Sequence, residues 1–154
     1  DLALEKSLVD VLVKAASEGL LRSAQDLSEG GLAVALAESC ILAEKGADGA
    51  VIELGGTGCK AVADHRPDAV LFGECNSAVV VSLAEEDVSR LKEICGELGV
   101  PFGVLGKVSG SSSLRIERCM GTAVLDVQVS ELRDVWKNGL LRAMAGDTAR
   151  GTTE

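Results

Sequence analysis

Two short stretches hold residue types from which a ligand site can be built. The first is Gln25-Asp26-Leu27-Ser28-Glu29-Gly30-Gly31-Leu32, which passes at once into the Ala/Leu-rich run Ala33–Glu38. It supplies an acid, a hydroxyl and two adjacent glycines before a helix. A glycine pair lets the backbone approach a ligand closely, and a helix N-terminus offers unpaired N–H groups with a partial positive charge. Such a loop can hold an anion at Ser28, Gly30 and Gly31, with Asp26 placed beside it for a cation or polar group. A second reading fits the same residues, in which Ser28 caps the helix and the glycines make the turn.

The second stretch is Leu71-Phe72-Gly73-Glu74-Cys75-Asn76-Ser77, just before the β-branched run Ala78–Leu83. Glu74, Asn76 and Ser77 would present donors and acceptors at a strand end, where ligands gather in α/β proteins. An ordinary polar turn has the same composition. Cys75 has no histidine beside it, and the sole histidine, His65, stands ten residues away beyond Pro67's side of the loop. A thiolate nucleophile needs a base or a positive field, so Cys75 is not assigned catalysis. His65, between Asp64 and Arg66, reads as a solvated loop residue. Residues 103–110 contain neither G-x-G-x-x-G nor G-K-[ST], so a Rossmann or P-loop site has no support.

Composition narrows the function classes. At 154 residues the chain reads as one domain, expected to bury roughly two-thirds of its unfolded surface. A hydrophobic content of 47% argues against disorder. The net charge of −9 and the lack of any basic cluster argue against nucleic acid. Phe72, Phe102 and Trp136 are the only aromatics, too few for a base-stacking platform. There is no apolar run of about 18 residues to span a membrane and no basic-then-apolar leader. Cys40, Cys59, Cys75, Cys95 and Cys119 are odd in number and lack C-x-x-C spacing, which points to reduced thiols in a cytoplasmic protein without structural zinc.

The elements that must carry the two stretches follow from periodicity. Leu4, Leu8, Val11, Leu12, Ala15 and Ala16 recur at helical spacing, and Gly19 marks the stop. Leu20–Ala24 reads as a short buried strand, and residues 31–45 as a second helix ending at Gly46. Ala50–Leu54 reads as a strand and residues 55–68 as a loop with room for a short helix. Ala78–Leu83 is the strongest strand candidate, apolar enough for burial on both faces. Glu85–Leu98 reads as a helix whose first-turn acids meet the dipole, stopped by Gly99. Phe102–Val108 and Ser113–Glu117 read as strands joined by a hairpin-like turn at Ser109-Gly110-Ser111-Ser112. Met120–Val129 reads as a further strand. Ser130 is placed to cap a last helix whose Leu132, Val135, Trp136, Gly139, Leu140 and Ala143 trace one face, with Trp136 expected in the core. Intermixed helices and strands predict an α/β (α+β) fold, a mixed β-sheet flanked by helices, over residues 1–145, with 146–154 a polar, frayed tail.

Three stretches together carry a family resemblance. Residues Ala24–Glu38 resemble the loop–helix signature of the C-terminal domains of the aminoimidazole ribonucleotide synthetase-like superfamily. Leu71–Ser82 is similar to the L-F-x-E-S-Q-x-R-x-x-V stretch of its amidotransferase branch, and Glu131–Leu140 to the terminal helix of the phosphoribosylformylglycinamidine synthase family. The resemblance implies a mixed sheet with partial ferredoxin-like topology. It implies an ATP-dependent ligase that converts formylglycinamide ribonucleotide and glutamine-derived ammonia to formylglycinamidine ribonucleotide in de novo purine biosynthesis. It also implies N-terminal synthetase domains in the same chain, a glutaminase subunit and a small partner subunit in the short form, and Mg2+ with ATP or ADP in the full-length enzyme.

By the same resemblance Asp26 falls on a magnesium-binding position, and Glu74, Cys75 and Asn76 fall on a substrate-contacting Glu-Ser-Gln run. The chain departs from the pattern at Cys75 for serine, Asn76 for glutamine, Ala78 for arginine and Gln25 for histidine. These departures fit the half of the family's bacterial enzymes associated with a structural nucleotide site. No catalytic residue is assigned, and the chain alone is expected to be inactive and to self-associate through a face its missing domains would cover. Two other readings are a purely architectural domain without ligand, and the C-terminal domain of another synthetase of the superfamily, such as a thiamine-phosphate or selenophosphate synthetase.

Overall fold

The computed structural model describes residues 1–43, 49–54, 66–118 and 122–145. The predicted helix stop at Gly46, most of the 55–68 loop with His65, the start of the strand placed at Met120, Cys59, Cys119 and the tail 146–154 lie outside the described residues.

Helix α1 (Leu2–Ser17) opens on Asp1, whose carboxylate accepts the backbone N–H groups of Ala3 and Leu4 at 2.9 and 3.3 Å. Two otherwise orphaned donors are thereby satisfied. Strand β1 (Leu21–Asp26) follows, then helix α2 (Gly31–Ile41), strand β2 (Gly49–Leu54) and the short helix α3 (Pro67–Phe72). Strand β3 (Val79–Leu83) leads through a 3-10 turn at Glu85–Asp87 into helix α4 (Val88–Leu98). Strands β4 (Gly106–Ser109), β5 (Ser113–Arg118) and β6 (Thr122–Gln128) precede the last helix, α5 (Val129–Met144).

The strands form two sheets, and helices flank both, as the expected α/β class requires. β1 and β3 make an antiparallel ribbon, in which Asp26 lies opposite Val79 and Leu21 opposite Leu83. The other sheet runs β4-β2-β5-β6, with β2 and β5 parallel and its remaining pairs antiparallel. Along β2 burial alternates, with Ala50, Ile52 and Leu54 inside and Val51 and Glu53 outside. Leu114 and Ile116 of β5 join the inner row, and α2, α3 and α5 cover it through Leu32, Leu36, Cys40, Leu71 and Val129. The outer face carries Arg115, which pairs with Glu117 and Asp126 at 2.5 and 3.0 Å. One face of this sheet is therefore core and the other solvated.

A second core lies on the ribbon. Val11, Ala15 and Leu20 pack with Leu91, Ile94 and Cys95 of α4, and Leu21, Val81 and Leu83 of the ribbon face them. Val80 packs against the sheet core instead. The ribbon is thus a wall between two cores, and this corrects one expectation. β3 is only half-buried at every position, because two strands leave open edges that a wider sheet would close.

Other expectations fail for local reasons. The turn at Ser109–Ser112 joins no hairpin, since β2 lies between β4 and β5. The connection instead crosses the start of β2, and the carbonyls of Ser111 and Ser113 fill the space a side chain at Gly49 would need. Helix α2 stops at Ile41, four residues short of the prediction, where Arg133 of α5 donates to the Ile41 carbonyl at 2.9 Å. Ser130 does not cap α5. Gln128 holds the cap position without a side-chain bond, and the Val129 N–H donates to the Ser112 carbonyl at 2.9 Å. Trp136 is 54% exposed, because α5 outruns the core its first turns cover. Among the described residues no helix is long and apolar enough to cross a membrane.

Candidate functional site

The ribbon brings the two polar stretches together. β1 ends at Asp26 and β3 begins at Val79, directly opposite, and the Leu27 N–H extends the pairing to the Ala78 carbonyl at 3.0 Å. The segments after β1 and before β3 must therefore leave the ribbon at the same end. There they wall a cleft of about 440 Å³ with the first half of α1. Asp26, Leu27 and Ser28 form one side, Cys75, Asn76, Ser77, Ala78 and Val79 another, and Asp1, Leu2, Glu5 and Leu8 the third.

Of the predicted site residues, Asp26, Ser28, Cys75 and Asn76 line this cleft, and Glu74, Gly30 and Gly31 do not. Gly31 has a different task. Its φ of +67° is left-handed, and a Cβ there would stand 2.7 Å from the Gly73 carbonyl oxygen and 3.0 Å from that of Leu71. The glycine lets the start of α2 lie against the segment that carries Cys75 and Asn76, holding the two walls at a fixed spacing. Ser28 does not cap α2. Gly30 occupies the cap position in a left-handed conformation without a side-chain bond, and the Gly31 N–H donates to the Ser28 carbonyl at 3.3 Å. The Ser28 side chain is consequently not tied up in a cap.

Gln25, one of the departures from the family pattern, faces away from the cleft, and its amide donates to Glu38 of α2 at 2.9 Å. The Cys75 thiol donates to the Asn76 carbonyl at 3.4 Å. Among the described residues no histidine, lysine or arginine side chain lines the cleft, so none of them is placed to take a proton from Cys75. Ser77 has a φ of 60°, uncommon for a residue with a side chain, and its hydroxyl donates to the carboxylate of Glu5. That bond ties α1 to the loop.

Helix α1 contributes a wall that carries no mark in the sequence. Asp1 and Glu5 join Asp26 around the cleft, and helical spacing alone carried no signal of which neighbour they would face. Three carboxylates, with no lysine, arginine or histidine side chain among the described residues opposite them, change the chemistry expected of the site. Asp1 is engaged by the first N–H groups of α1 and Glu5 by Ser77, yet a bare anion would still meet net negative charge, whereas a cation or a metal-bound phosphate would be favoured. Among the described residues no three His, Cys, Asp or Glu side chains cluster as a ready metal cage. Asp26 nonetheless fits magnesium, which typically takes one or two carboxylates and completes its shell with water and substrate phosphates.

The architecture is a mixed sheet covered by helices beside an antiparallel ribbon, and the comparisons with known proteins give its class. Residues 1–118 match the family described as AIR synthase related protein, C-terminal domain, and the chain belongs to that family. Within it the chain is similar to phosphoribosylformylglycinamidine synthase subunit PurL. The PurL of Anaeromyxobacter dehalogenans strain 2CP-C is 41% identical over 149 residues, covering 97% of this chain and 19% of the relative. That of Thermobifida fusca is 39% identical over 140 residues, covering 91% of this chain and 16% of the relative. Among solved structures, PurLQS from Thermotoga maritima superposes with a TM-score of 0.75 at 28% identity, over 86% of this chain and 22% of that one. T. maritima PurL complexed with ATP gives 0.72 at 27% identity, over 83% and 21%. The chain thus spans about a fifth of the length of the curated relatives it matches.

Proposed function

We propose that this chain is the C-terminal synthetase domain of an ATP-dependent C–N ligase of de novo purine biosynthesis. The ligase would form formylglycinamidine ribonucleotide from formylglycinamide ribonucleotide and glutamine-derived ammonia. The observation that supports the reading most is the shared cleft. Two segments separated by about fifty residues, each similar to a ligand-contacting stretch of the family, wall the same space. T. maritima PurL has been solved with ATP, ADP and AMPPCP, which supports a nucleotide as the ligand of the full-length enzyme. PurLQS likewise supports partner subunits.

In this reading Asp26 holds Mg2+ through one carboxylate, and the ion, when bound, screens phosphate charge. Ser28, Asn76 and Ser77 supply hydrogen bonds to a polar ligand, and the Gly31–Gly73 contact keeps the walls in place. The chain's part in the chemistry is positioning and charge balance. The remaining synthetase domains of a longer polypeptide would complete the site. The 154-residue chain alone is therefore expected to show no ATP- and ammonia-dependent turnover.

An architectural reading has one observation in its favour, since Gly30 and Gly31 serve packing and do not line the cleft. Asp26→Asn in the full-length polypeptide separates the two. Ligand binding predicts less retained nucleotide or lower ATP-dependent turnover at an unchanged Tm. Unaltered nucleotide content and turnover would leave the scaffold role.

A further inference from the structure

Among the described residues Ser77 is the one non-glycine residue with positive φ, at 60°. A side chain makes that conformation costly, and it persists only where the surroundings impose it. Ser77 lies just before β3, in the segment that forms one wall of the cleft. Gly73 begins that segment, with its carbonyl against Gly31, and Ala78 ends it, its carbonyl accepting the Leu27 N–H at 3.0 Å. Those backbone contacts fix where the segment starts and stops and leave its interior to be set by side chains. The Cys75 thiol bonds only to the adjacent Asn76 carbonyl. The Ser77 hydroxyl donates to Glu5, and among the described residues no other side-chain hydrogen bond joins residues 73–78 to another element.

We propose that Glu5 is a positioning residue of the cleft: its bond to Ser77 holds the left-handed turn there, and so fixes how Cys75 and Asn76 face the ligand space. Glu5 stands one turn into α1, a helix anchored further along its length. Val11 and Ala15 are 3 and 0% exposed, and Lys14 pairs with Glu97 of α4. A side chain on such a helix can hold a loop 72 residues away in sequence. A carboxylate acceptor makes the bond charge-assisted, stronger than one between neutral groups. Once released, Ser77 would relax toward negative φ. That change swings Asn76 relative to Ala78 and strains the Ala78–Leu27 bond at the end of the ribbon. The conformational part stands on geometry alone, and its effect on ligand binding rests on the function proposed above.

Hydrogen exchange of the Leu27 amide in the 154-residue chain reads the turn directly. Glu5→Ala is expected to speed that exchange at least about fivefold, and Ser77→Ala to do the same. The two together should do no more than either alone, because they break one bond. Glu5→Gln keeps an acceptor oxygen and is expected to restore most of the protection. In the Ser77→Gly background left-handed φ needs no support, so there Glu5→Ala should change the Leu27 rate less than about twofold. The Val129 amide, bonded to the Ser112 carbonyl, should exchange at the parent rate throughout, which shows that the fold is kept. The ATP and ADP retained by the purified full-length polypeptide carry the test to the ligand. Glu5→Ala should lower them about fivefold at an unchanged Tm, and Glu5→Gln should restore them. Leu27 exchange that ignores Glu5→Ala, or responds equally in the Ser77→Gly background, overturns the proposal. Nucleotide that falls with Asp26→Asn but not with Glu5→Ala overturns the positioning role. Nucleotide unmoved by both, with Leu27 exchange accelerated, overturns the functional reading and leaves the Glu5–Ser77 tie in place.

Discussion

The sheet core and the ribbon core are closed in different ways. In the first, Leu114 and Ile116 of β5 are 1 and 0% exposed, with paired strands on both sides and three helices above, where Val129 of α5 is 0% exposed. The second is smaller, two helices on a two-stranded ribbon, and its edges are fastened by charge. Lys14 of α1 pairs with Glu97 of α4 at 2.6 Å, and Arg90 of α4 with Glu18, just beyond α1, at 2.8 Å. The cleft lies on this second unit, at the end of the ribbon. The difference indicates a division of labour. The wide sheet supplies stability, while the candidate site sits on a narrower unit that a neighbouring domain or ligand can adjust at lower cost.

Truncations in the two cores test that contrast most strongly. Ile116→Ala is expected to cost about 4 kcal/mol, because paired strands on either side prevent the cavity from collapsing. Ile94→Ala, equally buried but on a helix over the ribbon, is expected to cost about 3 kcal/mol, with more relaxation. Denaturant unfolding with matched m-values measures both, and a larger loss for Ile94→Ala would reverse the ranking of the two units. Gly31→Ala comes next, at about 2 kcal/mol, from a side chain forced to positive φ and pressed on the Gly73 carbonyl. Because that contact joins α2 to the cleft wall, ligand affinity should fall beyond what the loss of stability explains. A neutral Gly31→Ala would show that the walls are not set by this contact.

The legible parts of the molecule were the local ones. Helices α1 and α4 follow from apolar spacing and from the glycines at 19 and 99, and the two polar stretches stood out because their residue types cluster. Strand order was not legible. Ser109–Ser112 has the composition of a hairpin turn, and no local feature says that β2, more than fifty residues earlier, will insert between β4 and β5. The place of Asp1 and Glu5 at the cleft is hidden for the same reason, since a helical period gives a face and not its neighbour. Trp136 shows the limit from the other side. Its row is apolar, as read, but periodicity does not reveal that the core ends one turn before it.

The smallest expected effect separates apolar closure from closure by charge. The Arg90 side chain bonded to Glu18 holds that carboxyl below its ordinary 4.5, and Lys14 bonded to Glu97 does the same there. A carboxyl with a folded-state value below its unfolded one stabilises the protein fully above the unfolded value. That contribution is lost as pH falls through the folded value. Below about pH 4.5 the fastening between α1 and α4 should therefore weaken, while the apolar packing of Ile116 and Leu114 has no such dependence. Both pairs are solvent-exposed, so the effect is modest and salt should diminish it. Hydrogen exchange against pH is the suitable measurement, with protection in α1 and α4 expected to fall before protection in β2 and β5. Glu18→Gln should flatten the acid dependence of α1 and leave that of β5 unchanged. If β2 and β5 lose protection first, the ribbon unit is not the one held by charge, and the division between the two cores must be drawn elsewhere.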